Sequence, residues 1–285
     1  MIREMLLLFV ENRKAFAGLL ILTLFILLAL FAPILAPYGP KQNSGPNGSF
    51  RLMAEPSAAH ILGTTHAGYD IFSRLVHGTR LTLIVGLLTG IITTAISLTV
   101  GLFSGYIGGK VDDIISFVTN VFLVIPSLPL IIVVAAYVPM RGVIPIITVL
   151  SLTGWAWGAR VVRAQVLSIG EREFIKVAQV LGERPILIVF REILPNIVSL
   201  VMATFFTSTI AAIIGEATLE FIGLGNVAAI TWGTMLFWAQ NNGALLFGAW
   251  WWFLPPGICI GLLGTSFALL NFAIDEISNP KIRKR

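Results

Sequence analysis

Six stretches of the chain lack Asp, Glu, Lys and Arg over a length that can cross a bilayer. A helix needs about 20 apolar residues to cross the hydrocarbon core, so each stretch predicts one transmembrane helix. The stretches are 15–40, 81–109, 114–140, 142–159, 193–215 and the last part of 221–274. The fourth is short, but flanking arginines can place their charged ends in the interface. The pattern predicts an all-α polytopic membrane protein with six transmembrane helices.

Lys and Arg predict the orientation of this bundle. Because six crossings bring both termini to one side, the loops fall into two sets, which hold 14 and five of these residues. Cytoplasmic loops carry the excess of positive charge. We therefore predict that both termini are cytoplasmic. The first span has the basic flank of a signal peptide, but its apolar run is longer than a signal's, which favours a retained anchor.

These assignments divide the chain into five parts. We predict a cytoplasmic stub at 1–14, a first helix at 15–37, an extracytoplasmic segment at 38–80, a membrane domain at 81–274 and a basic cytoplasmic tail at 275–285. Within the membrane domain the predicted helices are 81–107, 114–138, 143–165, 194–215 and 245–273, with a cytoplasmic loop at 166–193.

Prolines and small residues predict how the helices bend and pack. Pro126 and Pro129 lie within the third span and predict a kink. Glycines four residues apart predict close helix contacts; they are Gly86/Gly90, Gly101/Gly105, Gly154/Gly158 and Gly257/Gly261. The run Trp250 to Trp252 is typical of an aromatic belt at the membrane interface.

Composition agrees with a membrane protein. Apolar residues make up 56% of the chain and charged residues 12%, against about 45–50% and about 25% in soluble domains. The single cysteine, Cys259, excludes an internal disulfide. The net charge of +5 follows from topology, and the absence of a basic stripe with aromatics argues against nucleic acid as a partner.

The sequence contains no pattern typical of a catalytic or cofactor site. A phosphate-binding loop GxxxxGK[ST] is missing, since Val111 follows Gly109-Lys110. His60, His66 and His77 have no metal-ligand spacing and are interpreted as surface residues. The span centres lack the carboxylates that relay protons. We expect no catalytic residues, no metal and no cofactor on this chain.

The segment 168–196 predicts a helix, a turn and a second short helix. Ser168 and Glu171 have capping-box spacing. Phe174, Val177, Ala178 and Leu181 then form one apolar stripe at helical spacing, and Gly182 permits a turn before a helix beginning at Pro185. Such an amphipathic helix either lies on the bilayer surface or docks on a soluble partner, and its composition leaves both open.

This segment resembles the EAA-x3-G-x11-LP loop of membrane subunits in binding-protein-dependent ABC importers. Lys176, Val177 and Ala178 occupy the EAA positions, and the first two depart from the pattern. Gly182 is the glycine and Leu194-Pro195 closes the loop. In that family this element is the coupling helix, inserted into a cleft of the ATPase subunit. The resemblance implies coupling residues that are Phe174, Lys176, Val177, Ala178, Leu181, Gly182 and Pro195.

The resemblance extends to the C-type subunit of the dipeptide/oligopeptide (peptide/nickel-type) permease subfamily. It is carried by 30–40, 60–87, 105–113, 125–130, 152–168 and 215–225. It implies the type I importer fold in a prokaryotic plasma (inner) membrane. It also implies a homologous second permease subunit, two ATPase subunits that bind ATP and Mg²⁺, and an extracytoplasmic solute-binding protein. Members carry peptides, oligosaccharides or nickel chelates.

Glu216 and Glu220 follow the fifth predicted span at helical spacing. They either face a solute entrance that favours cationic or amino-bearing substrates, or belong to a solvated helix end. Two other function classes stay open on the residues alone. A self-sufficient carrier or channel would need no ATPase, and a receptor or scaffold would carry no solute.

Overall fold

The computed structural model describes residues 12–45, 48–137 and 142–278, so most of the predicted stub and tail lies outside it. The helices are α1 Arg13–Leu30, α2 Ala32–Leu35, α3 Ile71–Ile107, α4 Gly109–Val124, α5 Ser127–Tyr137, α6 Val143–Gly170, α7 Glu173–Val180, α8 Pro185–Leu187, α9 Leu194–Asn196, α10 Val198–Phe221, α11 Trp232–Asn241 and α12 Trp250–Ser278. A π-helix occupies Ile188–Ile193. Two short antiparallel strands, β1 Ser44–Gly45 and β2 Gly48–Ser49, pair in the loop before α3.

Within the described ranges the chain crosses the bundle six times, as predicted. Five helices are long and apolar enough to cross a membrane: α1, α3, α6, α10 and α12. Gly101 lies against Val162, and Gly105 lies against Val166. Both helices advance in the same direction between these two contacts, so α3 and α6 run parallel. The chain must therefore cross back between the end of α3 and the start of α6. The bent pair α4 and α5, with 96° between the two helices, makes this crossing.

Pro126 causes the bend between α4 and α5. Ile125 has an extended backbone with φ −73° and ψ 126°, because the ring of a following proline disfavours the helical conformation. Pro126 also has no N–H to donate to the preceding turn. The predicted kink is confirmed, and it divides the predicted helix 114–138 into α4 and α5.

Helix α3 lies at the centre of the bundle and packs through its glycines. A Cβ atom on Gly86 would lie 2.6 Å from Ile213 of α10, and one on Gly101 would lie 2.7 Å from Val162 of α6. These glycines therefore permit backbone approaches that a side chain would block, as predicted. In contrast, Gly257 and Gly261 of α12 have no atom within 4 Å of an added Cβ.

Gly101→Ala is expected to destabilise the subunit. The added methyl group would meet both Val162 and the carbonyl oxygen of Ala159, the latter at 2.8 Å, and a backbone atom cannot rotate away. Overpacking of this kind costs about 1–3 kcal/mol. Thermal unfolding in detergent should show a lower midpoint for Gly101→Ala than for the matched change Gly261→Ala. Equal midpoints would contradict this account of α3 packing.

The helix ends differ from the predicted bounds in several places. Helix α3 begins at Ile71 instead of 81, so the predicted segment 38–80 is non-helical only up to residue 70. Its 37 residues extend about 55 Å, well beyond the hydrocarbon core of about 30 Å. Helix α10 continues to Phe221 instead of 215, and α12 begins at Trp250 instead of 245.

The loop 36–70 and the start of α12 pack together at the end of the bundle where α3 begins, which we name the loop end. Trp251 and Trp252 are buried there, so the predicted aromatic belt is wrong for both, whereas Trp250 is half exposed. His60 is also buried and bonds to Asp70, which corrects its interpretation as a surface residue. The loop and α12 lie far apart in the sequence, so no local pattern indicates that these side chains are buried.

Candidate coupling site

Helix α7 lies at the opposite end of the bundle, which we name the coupling end, where α6 ends and α10 begins. Helix α6 continues to Gly170, and α7 starts after a turn of two residues with Arg172 as its N-cap. Ser168 therefore lies inside α6, and the predicted capping box with Glu171 does not form. At the end of α6 the backbone N–H of Arg172 donates to the carbonyl oxygen of Ile169, which forms the turn between the two helices.

One face of α7 is anchored in the subunit's own core. Ile175 is fully buried and Ala178 nearly so. They pack against Val166 and Ile169 of α6 and against Ile188 of the π-helix. The predicted stripe assigned Ala178 to the docking surface, but the structure places it on this inner face. Force applied to α7 therefore reaches α6 directly.

The other face of α7 carries large apolar side chains that are exposed. Their exposed fractions are 43% for Phe174, 57% for Val177, 87% for Val180 and 77% for Leu181. We name these four residues the coupling face. Charged neighbours surround it: Lys176 pairs with Glu171 at 2.9 Å, and this hydrogen bond lowers the pKa of Glu171. Both partners are exposed, so the pair adds little stability.

Gly182 ends α7 in a Schellman motif. Its N–H donates to the carbonyl of Gln179 at 3.0 Å, and the N–H of Glu183 donates to the carbonyl of Ala178 at 3.1 Å. Gly182 has φ +77°, a left-handed conformation that other residues rarely adopt. As predicted, the next helix, α8, begins at Pro185. Pro195 lies in α9, between the π-helix and α10.

An ion pair that sequence patterns did not indicate joins α4 to α6 near the coupling end. The Arg163 guanidinium donates to both carboxylate oxygens of Asp112 at 2.5 Å. The hydroxyl of Ser104, near the end of α3, donates to the same carboxylate. Bidentate pairs of this type fix orientation as well as distance. The end of α3, the start of α4 and the second half of α6 are therefore held together.

Glu216 and Glu220 are buried inside the subunit, with exposed fractions of 0% and 2%. The hydroxyl of Thr231 donates to Glu220, because the loop 222–231 folds back over the end of α10. Gly225 lies close enough that an added Cβ would approach Glu220 to 2.7 Å. The two glutamates therefore neither line an entrance nor form a solvated helix end, and both interpretations of them are wrong.

A cavity of about 550 Å³ adjoins the bend between α4 and α5. Hydroxyl-bearing residues from four helices, α3, α5, α6 and α10, line it; they are Thr89, Thr93, Ser127, Thr153, Ser208 and Thr218. Its remaining walls are largely apolar, including Phe122 and Trp157. Such a surface can pass a polar solute without holding it by charge. Among the described residues, no group of three His, Cys, Asp or Glu side chains could hold a metal ion.

Comparisons with known proteins agree with this architecture. Residues 97–284 match the family described as binding-protein-dependent transport system inner membrane component, and residues 1–53 match the N-terminal TM domain of oligopeptide transport permease C. The oligopeptide transport system permease protein OppC of Bacillus subtilis (strain 168) is 32% identical over 284 residues, 99% of this chain and 90% of the relative. The dipeptide transport system permease protein DppC of Alkalihalophilus pseudofirmus is 35% identical over 276 residues, 96% and 88% of the two chains.

A solved structure shares the fold. A chain of the MetNI methionine ABC transporter, determined in inward-facing conformations, superposes with a TM-score of 0.58 at 22% identity. The match covers 72% of this chain and 94% of the other. The fold is that of the type I importer membrane domain.

Proposed function

The chain belongs to the family of binding-protein-dependent transport system inner membrane components, and from that premise we propose that it is the C-type permease subunit of an ATP-driven importer for di- or oligopeptides. Relatives named for oligopeptide and dipeptide transport support the peptide assignment. Oligosaccharides and nickel chelates are the other solutes that the subfamily resemblance suggests. A homologous subunit would complete the pathway, and a binding protein would deliver the solute at the loop end.

We place the coupling end in the cytoplasm, where one of the two ATPase subunits would bind the coupling face. The observation that carries this proposal is the exposure of four large apolar side chains on a helix whose opposite face is anchored. Helix-in-groove docking uses an amphipathic helix in this way. Lys176 would lie at the rim of the groove, and Gly182 would set the direction of the chain beyond it.

The anchored face explains how ATP could act on the pathway. Moving a two-state equilibrium from 1:99 to 99:1 takes about 5.5 kcal/mol of differential binding. A flexible loop would not transmit this difference in binding free energy to the membrane helices. The buried side chains of Ile175 and Ala178 instead pack α7 against α6. Helix α6 lines the hydroxyl-bearing cavity through Thr153. We infer that a shift of α7 opens or closes this cavity, which would form one wall of the pathway.

Co-purification and reconstituted uptake test the proposed function. Two ATP-binding chains and a second permease subunit should accompany this chain in mild detergent. The complete transporter in proteoliposomes should take up a labelled dipeptide only when ATP and the binding protein are both supplied. Uptake by this chain alone would favour a self-sufficient carrier, and the absence of any solute flux from the complete transporter would favour a receptor or scaffold.

A further inference from the structure

A second cavity, of about 340 Å³, lies at the loop end between the loop 36–70, the start of α3 and helices α11 and α12. Its lining combines two cationic side chains, Lys41 and Arg74, with aromatic rings. The aromatic side chains come from three different elements, and they are Tyr69, Trp238 and Trp252. We name this cavity the Arg74 pocket. No role assigned to the coupling face or to the hydroxyl-lined cavity uses it.

Arg74 is a buried cation without a counter-ion among the described residues. Only 9% of its surface is exposed, and its Nε atom has no hydrogen-bond partner in the described part of the chain. Its guanidinium lies 4.9 Å from the centre of the Tyr69 ring. Asp70, the nearest acidic residue in sequence, is already bonded to His60 and Ser73. An unpaired buried charge is strongly destabilising, so this arrangement favours an anionic ligand.

His66, which also lines this cavity, carries a second unpartnered polar atom. Its ring stacks between Trp252, at 5.3 Å between centroids, and Trp238, at 5.8 Å. Its Nδ1 atom is buried and has no partner within the described ranges. Burial, and then the charge of Arg74, lowers the pKa of His66, so the imidazole is neutral near pH 7. A neutral imidazole can hydrogen-bond to a ligand without adding charge.

We propose that the Arg74 pocket binds a carboxylate, namely the C-terminal carboxylate of an incoming peptide. The identification of the ligand as a peptide rests on the proposed function. Arg74 offers the planar donor pair that matches a carboxylate, and Trp238 and Trp252 offer an apolar wall for the adjoining side chain. Lys41 is exposed at the rim and would attract the anion from solution. The volume suits the terminal residue of a peptide.

Calorimetry on the purified complete transporter, in detergent and without binding protein, tests this site. The probes are the dipeptide Ala-Phe and its C-terminal amide. The amide should bind about 10-fold more weakly than the free acid, which corresponds to about 1.4 kcal/mol. Arg74→Gln should remove this preference. The matched control is Arg80→Gln, which removes the same charge from an exposed position on α3 and should retain the preference.

Several results would overturn the proposal. Equal binding of acid and amide to the wild type would do so, as would equal preferences in Arg74→Gln and Arg80→Gln. If Arg74→Gln fails to assemble, Lys41→Gln replaces it, and unchanged binding of the acid would count against the site. Arg74-dependent binding of phosphatidylglycerol with no binding of Ala-Phe would instead assign the pocket to a lipid phosphate. Normal ATP-driven uptake alongside equal acid and amide binding would reject the pocket and leave the proposed function intact. Arg74-dependent binding of the acid without uptake would support the pocket and count against the proposed function.

Discussion

Leu181→Asp should leave the subunit folded and inserted while ATP hydrolysis no longer drives uptake. Leu181 is 77% exposed, so its replacement removes little packing within the subunit. In the assembled transporter the new carboxylate would be buried against the ATPase without a partner, at a cost of about 3–5 kcal/mol. Because about 1.4 kcal/mol corresponds to a factor of 10, uptake should fall by roughly 100-fold or more. Uptake and ATP hydrolysis measured together in proteoliposomes check this expectation.

Two control variants separate coupling from folding. Leu246→Asp makes the same change at a 90% exposed leucine of the loop end, and uptake should remain coupled. Ile175→Asp places a carboxylate on the anchored face, where the wild-type side chain is fully buried, and should prevent folding. Gly182→Pro should resemble Leu181→Asp, because proline cannot adopt φ +77°. Coupled uptake at the normal rate in both Leu181→Asp and Gly182→Pro would refute the assignment of the coupling face.

Hydropathy predicted the six crossings but not where the helices end. Hydropathy detects the residues that lie in hydrocarbon. In α3 the charge-free part, about seven turns at 81–107, is preceded by further helical residues at 71–80. Arg74 and Arg80 mark a boundary for the apolar window, yet both are helical because Asp70 caps α3, which begins ten residues before the predicted start. Capping by Asp70 is visible in the sequence. It sets the start of α3 because His60, from the buried loop, holds the Asp70 carboxylate in place.

The coupling segment was found from its sequence, but its two faces were not distinguished. Apolar spacing selected Phe174, Val177, Ala178 and Leu181, and it gave no weight to Ile175, which is the main anchor. Which face of α7 is buried depends on Ile188 and Ile193, which reach it through a π-helix that no local pattern predicts. Glu216 and Glu220 were misplaced for a similar reason. Their burial depends on the loop 222–231, whose path is set by tertiary contacts.

Asp70→Ala should destabilise the loop end more than any surface change there. Asp70 is 1% exposed and bonds to Nδ1 of His60 at 2.9 Å. It also caps α3 by accepting from the N–H of Ser73 at 2.8 Å and from its hydroxyl at 2.7 Å. Loss of one partner of a buried, charged hydrogen-bonded pair costs about 3–5 kcal/mol. Loss of the helix cap costs about 1 kcal/mol. Thermal unfolding of the purified transporter measures the sum.

Comparison of three variants assigns this cost to its parts. Asp70→Asn keeps a capping oxygen and a partner for His60, so its midpoint should lie between those of the wild type and Asp70→Ala. Glu55→Ala removes an exposed carboxylate from the same loop and should leave the midpoint unchanged. Arg74 lies one helical turn after Asp70, so Asp70→Ala should also weaken carboxylate binding in the Arg74 pocket. An unchanged midpoint in Asp70→Ala would mean that the loop end does not depend on this carboxylate, and Arg74 would then have to be positioned by Tyr69 and the rest of α3.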